Sequence, residues 1–247
     1  MSHKSQKANN LINENMNNNF DVIVFDFDNT LFDYAATEDN ALQVVFRELN
    51  IPYKEKFRFE FIKINRGLWN EKNINMQDLR LIRFKELFKS IGYEIDSDDI
   101  CKAAAIYIKA SEQGILIEGV DETIKELKKR AIILDIASSG FTNPRLEKLH
   151  NSSIGGCFDY VLFRENFDHV KIKPDSSFFI EILKNHPDIS HNRILYVGDS
   201  FDTDIIGSKK TGLSNVWFNF FNTDTKDFNM DYCDFVIYKF CDLLKFI

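Results

Sequence analysis

The segment Asp21-Val22-Ile23-Val24-Phe25-Asp26 constrains this chain more than any other. It is a short β-branched and aromatic run that ends in a carboxylate. With no polar residue on either face, such a run reads as a strand buried on both sides, as strands of parallel sheets are. In open parallel sheets, function sits at the carboxyl ends of the strands, so the terminal carboxylate marks a place to look. Similar runs recur at Ala131–Ala137, Tyr160–Phe163, Arg193–Val197, Asn215–Phe218 and Phe235–Ile237. Helical patterns lie between them. Val120, Ile124, Leu127 and Ala131 share one helical face, and Phe178, Phe179, Ile182 and Leu183 do so after the helix-start signal Pro174. This alternation predicts an α/β fold built on a doubly wound parallel sheet.

Residues 34–118 break the alternation. They read as helices alone, over roughly 35–49, 55–70, 76–90 and 97–111, punctuated by Gly92 and Gly114. An all-helical block inserted after the first strand of such a sheet suggests a cap over its functional edge. The expected organisation is therefore a core of 20–33 and 119–247, a helical cap of 34–118, and an Asn-rich arm of 1–19 expected to be disordered, with no function assigned. With 24 Phe in 247 residues, ring-rich packing is expected.

The net charge of -7 argues against binding a nucleic-acid polymer. It leaves room for a small anionic ligand, because local cations or a metal can reverse the local field. Cys101, Cys157, Cys233 and Cys241 form no Cys-x-x-Cys pair and stand near no His at zinc-finger spacing, so they read as reduced, buried thiols. No leader pattern and no run fit to span a membrane is visible. A soluble cytoplasmic protein is expected, as monomer or homodimer.

Polar residues collect at four predicted strand ends. The first carries Asp26 and Asp28, two carboxylates that are costly together without a cation. Asp26 suits nucleophilic attack on phosphorus, and Asp28 suits proton transfer to a leaving oxygen and then from water. The second carries Ser138-Ser139-Gly140, a hydroxyl and backbone N–H groups fit for a phosphate oxygen, though also an ordinary turn sequence. Lys173, just before Pro174, can neutralise nucleophile and phosphoryl group together, whereas Lys171 reads as a solvated loop lysine. The fourth reads Gly198-Asp199-Ser200-Phe201-Asp202-Thr203-Asp204. Asp199 and Asp204 can face the first strand's carboxylates, and Asp202 reads as solvent-facing. Hard oxygen donors favour Mg²⁺ over zinc.

In this order the residues resemble the haloacid dehalogenase superfamily. Asp26-x-Asp28-x-Thr30, Ser138, Lys173-Pro174 and Gly198-Asp199-x-x-x-x-Asp204 resemble its four motifs across about residues 21–220. The resemblance implies a Rossmann-like core, a helical cap of the C1 type, and Mg²⁺ bound by Asp26, the backbone carbonyl of Asp28, and Asp199. Asn65-Arg66-Gly67-Leu68-Trp69, the stretch from Leu79 through Arg83-Phe84, and Ser139-Gly140-Phe141-Thr142 look like the pyrimidine 5′-nucleotidase group of that superfamily. That likeness marks Asn65 and Trp69 as substrate contacts, beside the plain reading of Trp69 as a packing aromatic. Three positions depart from the family pattern: Ser138-Ser139-Gly140 where Thr-Asn-Gly is common, Val170 where Gly is frequent, and Glu118-Gly119 where Pro-Gly is usual.

The expected activity is Mg²⁺-dependent hydrolysis of a small phosphorylated metabolite, a nucleoside 5′-monophosphate above all. Phosphoglycolate, a sugar phosphate, phosphomutase chemistry and 2-haloacid dehalogenation stand as alternatives. Asp28 counts against dehalogenation, because dehalogenases of the superfamily lack that second carboxylate. A phosphate-accepting signalling module or a silent binding protein fits the four-part set less well.

Overall fold

A computed structural model describes residues 20–69, 76–140, 142–163 and 172–247, with the side chains of 69, 76, 77 and 142 excepted. The expected arm of 1–19, together with Phe141, Val170 and Lys171, lies outside the described residues. In chain order the elements are β1 (Val22–Phe25), α1 (Tyr34–Glu48), α2 (Glu55–Trp69), α3 (Met76–Ser90), α4 (Ser97–Ser111), α5 (Val120–Lys129), β2 (Ile133–Ala137), α6 (Thr142–His150), β3 (Tyr160–Leu162), α7 (Ser176–Lys184), β4 (Ile194–Gly198), α8 (Ile206–Lys210), β5 (Ser214–Phe218) and β6 (Phe235–Ile237). Six strands lie where the apolar runs predict them.

The chain divides into two compact units. One takes the described residues of 1–30, 118–139 and 157–247, and the other takes 31–117 and 140–156. The first holds the six-stranded sheet, ordered β3-β2-β1-β4-β5-β6 with every pairing parallel. Its centre is β1, whose Val22 pairs with Ile133 on one side and Ile194 on the other. All four residues of β1 are fully buried, which explains why the run carries no alternation. Helices account for that burial. Val120, Ile124 and Leu127 form the buried stripe of α5, and Phe178, Phe179 and Ile182 that of α7. Phe178 and Phe179 pack in one cluster with Val22, Val24, Ile194 and Tyr196. The helix α7 starts at Asp175, whose carboxylate accepts from the Ser177 N–H at 3.0 Å. This is the Rossmann-like α/β architecture.

The second unit is helical. Within it α1 packs on α4 and α2 on α3. Its core is a set of rings: Phe46 stacks on Phe57 at 5.2 Å between centroids, and Phe61 meets Phe84 at 5.5 Å and Tyr107 at 5.3 Å. Each fully buried ring of this kind contributes ~1.5–3 kcal/mol, so the abundance of Phe has a structural use. Asp33 and Asp96 cap α1 and α4 through the N–H groups of Ala36 and Asp99. The helix α6, which follows β2 in sequence, belongs with the helices. Lys148 lies over the Tyr34 ring, and the Asn151 amide donates to the Glu112 carbonyl at 3.1 Å.

One expectation is corrected here. The cysteines are free thiols, but they are not buried: Cys101 and Cys241 are exposed, and Cys157 and Cys233 are intermediate. Cys101 falls outside the buried stripe of Ala103, Ala104 and Tyr107 on α4. Among the described residues, no helix is long and apolar enough to cross a membrane.

Candidate active site

The sheet unit brings Asp26, Lys173, Asp199 and Asp204 together. Asp26 follows β1 directly, and its N–H donates to the Val197 carbonyl at 2.9 Å. This bond extends the β1–β4 ladder and sets the carboxylate beside the end of β4. The Lys173 ammonium is buried between two carboxylates. It donates to Asp26 Oδ1 at 2.5 Å and to Asp204 Oδ1 at 2.6 Å. Asp26, Asp199 and Asp204 each offer one oxygen, and these atoms lie within 4.8 Å of one another.

Local sequence explains the Asp204 position. After β4 the chain makes a π-type turn over Phe201–Ile205 that feeds α8. The Asp204 N–H donates to the Ser200 carbonyl at 2.9 Å, and Asp204 Oδ2 accepts from the Ser200 N–H at 3.0 Å. The carboxylate thus folds back over Gly198. A Cβ at position 198 would sit 2.4 Å from Asp204 Cγ, so only glycine leaves room for it. Asp202, in the same turn, points to solvent as expected.

Among the described residues one ammonium, bonded to Asp26 and Asp204, stands against three carboxylates, and the titration of the group reflects this. Burial is the largest cause pushing Asp26 up to about 6; Lys173 opposes it, while Asp204 and Asp28 add to it. Burial again leads in pushing Asp199 up to about 8, with Asp26 and Asp204 adding and Lys173 opposing. Burial disfavours a charge on Lys173, yet Asp204 and Asp26 outweigh it and hold the ammonium protonated, well above the usual lysine range. The cluster carries more negative charge than its own lysine can neutralise. Its donors are hard carboxylate oxygens, the chemistry that suits Mg²⁺.

The remaining sheet-unit residues fall around this group. Asp28 is half-buried, near enough for its charge to act on Asp26. Ser138 ends β2 in a buried position, its N–H donating to the Leu162 carbonyl at 2.9 Å. Ser139 Oγ accepts from the Lys173 N–H at 3.2 Å, which ties the second and third motifs together. The peptide between Lys173 and Pro174 is cis. Asn65 is buried on α2 in the helical unit, and the side chain of Trp69 lies outside the described residues.

Two residues escaped the sequence reading. Tyr196 stands in β4, its ring fully buried. Its hydroxyl lies 3.2 Å from Lys173 Nζ and 3.3 Å from Asp204 Oδ1, and donates to the Ala137 carbonyl at 3.2 Å. It therefore braces the lysine, the carboxylate and the end of β2 from one point. The only signal was a hydroxyl in an otherwise apolar run, since a buried Tyr seeks a partner for its OH. Trp217 in β5 donates from Nε1 to the Asp199 carbonyl at 2.9 Å and fixes the backbone there.

Comparison with known proteins agrees with this geometry. Residues 23–218 match the family model described as haloacid dehalogenase-like hydrolase. The pyrimidine 5′-nucleotidase PynA of Streptococcus pneumoniae is 28% identical over 200 residues, covering 80% of this chain and 83% of PynA. The human (Homo sapiens) N-acylneuraminate-9-phosphatase is 25% identical over 206 residues, covering 80% of this chain and 82% of that enzyme. Among solved structures, the HAD-hydrolase YfnB of Bacillus subtilis bound to magnesium superposes with a TM-score of 0.71. The two are 27% identical, over 91% of this chain and 96% of that one.

Proposed function

The chain belongs to the haloacid dehalogenase-like hydrolases, and from that premise we propose that it is a cytoplasmic, Mg²⁺-dependent phosphatase acting on a nucleoside 5′-monophosphate. The observation that carries this reading is the bonding of Lys173 to both Asp26 and Asp204, with Asp199 in the same group. Such a cluster has a nucleophile, a fixed cation and spare carboxylate oxygens in one place. The similarity to PynA, named as a pyrimidine 5′-nucleotidase, supports the nucleotide part. The helical unit acts as the cap in this reading, and Asn65 and Trp69 contact substrate from it.

In the proposed reaction an Asp26 carboxylate oxygen attacks phosphorus, and the bond from phosphorus to the ester oxygen breaks. Asp28 delivers a proton to that departing oxygen, so the alcohol leaves neutral. The enzyme then carries an aspartyl phosphate on Asp26. Asp28, now a carboxylate, takes a proton from water as the water oxygen attacks phosphorus. The bond from phosphorus to Asp26 breaks, which releases inorganic phosphate and restores both carboxyl groups. Lys173 neutralises the nucleophile and the phosphoryl oxygens throughout, with Ser138 and Ser139 donating to the phosphate. Asp204 and Tyr196 position Lys173. Asp26, the backbone carbonyl of Asp28, and Asp199 would hold Mg²⁺, with Asp204 completing the acidic group, and a bound Mg²⁺ supplies positive charge that aligns and stabilises the transferring phosphoryl group.

The test is phosphate release from uridine 5′-monophosphate by the wild-type chain and by Asp26→Asn, with Mg²⁺ and with EDTA. The amide keeps the shape but is no nucleophile, so turnover is expected to fall at least about ten-thousandfold. EDTA is expected to stop the wild type reversibly. Near-normal hydrolysis by the Asn variant overturns the mechanism.

A further inference from the structure

Within the sheet unit, β5 holds the segment after β4 at two points. The strand register sets Trp217 beside Gly198, so its side chain reaches the residue that follows β4. The Trp217 Nε1–H donates to the Asp199 carbonyl at 2.9 Å. Two residues earlier, on the same face of β5, the Asn215 amide donates to the Ile205 carbonyl at 3.2 Å. These two carbonyls bracket the segment that carries Asp199 and Asp204. The packing repeats the bonding. Phe201 and Ile205, the first and last residues of the π-type turn, are buried in one cluster with Trp217. The Phe201 ring meets Trp217 edge-on at 5.0 Å, and Phe228 closes the group at 4.7 Å from Phe201 and 5.0 Å from Trp217. Asn215 is fully buried and bonded further, to Ser208 Oγ, the Tyr232 carbonyl and the Asp234 N–H. The brace is therefore itself held from its far side.

Packing alone asks for a ring at position 217, and this chain builds its core from Phe: it has 24 Phe and 2 Trp. What Trp adds over Phe is one donor. That donor goes to the backbone of Asp199, whose side chain supplies an oxygen to the acidic group. Holding a carbonyl fixes the backbone of its residue, and with it the direction of the side chain. The two kinds of hard divalent cation answer differently to such fixing. Mg²⁺ demands near-ideal octahedral geometry at short distances, whereas Ca²⁺ accepts longer and less regular ones. A rigid spacing of Asp199 against Asp204 therefore matters to the smaller ion and far less to the larger.

We infer that Trp217, with Asn215 and Phe201, is a positioning clamp that fixes Asp199 against Asp204 and biases the acidic group toward Mg²⁺ over Ca²⁺. The inference deepens the proposed function and rests on its reading of the acidic group as a cation site.

The test uses the full chain and metal alone, without substrate. Electron paramagnetic resonance follows Mn²⁺ as it binds, and Mg²⁺ or Ca²⁺ is then titrated in to displace it, which gives a Kd for each. The readout is the Kd for Ca²⁺ divided by the Kd for Mg²⁺. Trp217→Phe keeps a ring in the cluster and deletes the N–H. It is expected to weaken Mg²⁺ about tenfold or more, as loss of a metal ligand's outer partner does, and Ca²⁺ by less than about threefold, so the ratio falls. Phe201→Leu keeps the Trp217 bond and loosens the turn. A smaller fall in the ratio is expected from it, and it tests the clamp even if Trp217→Phe folds poorly. A fall in either variant supports the clamp. An unchanged ratio in both, whether the two ions weaken equally or not at all, makes Trp217 a packing residue and overturns the inference while the cation reading stands. A wild type that binds no Mn²⁺, or whose Mn²⁺ binding survives Asp199→Asn unchanged, overturns the cation reading and the inference together.

Discussion

Lys173→Met removes the one ammonium bonded to the acidic cluster among the described residues while keeping much of the side-chain volume. At 2.5 Å from Asp26 and 2.6 Å from Asp204, each contact is worth about 6 kcal/mol of attraction at an effective dielectric near 20. Burying the ammonium costs several kcal/mol in return, so the attraction is far from the net effect. The deciding term is what remains after substitution: two buried carboxylates with no cation among the described residues bonded to them, Asp204 1% and Asp26 6% exposed. Removing one partner of such a buried pair costs about 3–5 kcal/mol. Urea unfolding in EDTA, which keeps metal charge from masking the loss, is expected to show that decrease. In Mg²⁺, kcat is expected to fall at least a hundredfold, as when a preorganised donor is removed from a developing charge. Wild-type stability in EDTA would refute the reasoning, because the carboxylates would then have another source of neutralisation. A large stability loss with unchanged kcat would separate the lysine from the chemistry.

Gly198→Ala places a methyl group 2.4 Å from Asp204 Cγ. Overpacking of this kind costs about 1–3 kcal/mol, and the displaced Asp204 carries Lys173 with it. A drop in kcat of at least about tenfold alongside that modest loss in urea unfolding is expected; unchanged kcat would show that the lysine holds its place without Asp204. Burial pushes the Cys233 thiol up to about 12 from 9.0. Mass spectrometry after iodoacetamide at pH 8 should therefore find Cys101 and Cys241 labelled and Cys233 protected until urea unfolds the chain. The same shift fixes a sign: above pH 9 the unfolded chain releases this proton and the folded one keeps it, so Cys233 lowers stability as pH rises from 9 toward 12.

The strands were legible because β1 and β4 are buried on both faces, and full burial writes itself as an unbroken apolar run. The helices of the second unit were legible by period. The acidic cluster was legible because carboxylates at the ends of two buried strands have few structural uses. Tyr196 was not, since a Tyr inside an apolar run looks like one more core ring, and its hydroxyl matters only once Lys173 and Ala137 stand beside it. The placement of α6 was also hidden: sequence order puts it after β2, while its contacts put it with the helices. Cysteine exposure was misread because type alone favours burial and says nothing of the helix face on which Cys101 falls.

Burial perturbs a polar group in each unit, in opposite senses. In the sheet unit, Asp26, Asp199 and Asp204 stand around one lysine among the described residues, so that group is short of positive charge, and burial raises the carboxyl groups of Asp26 and Asp199. In the helical unit, burial lowers the Arg83 guanidinium below the usual arginine range, with Tyr107, Tyr34 and Glu38 opposing it. The sheet-unit group is not explained by stability, because a second lysine, which the chain could have encoded, would serve it better. Polar groups left short in this way are what a binding site costs before its ligand arrives. The shortfall in the sheet unit also says what should arrive there. A cation and a phosphoryl group fit the carboxylates and Lys173.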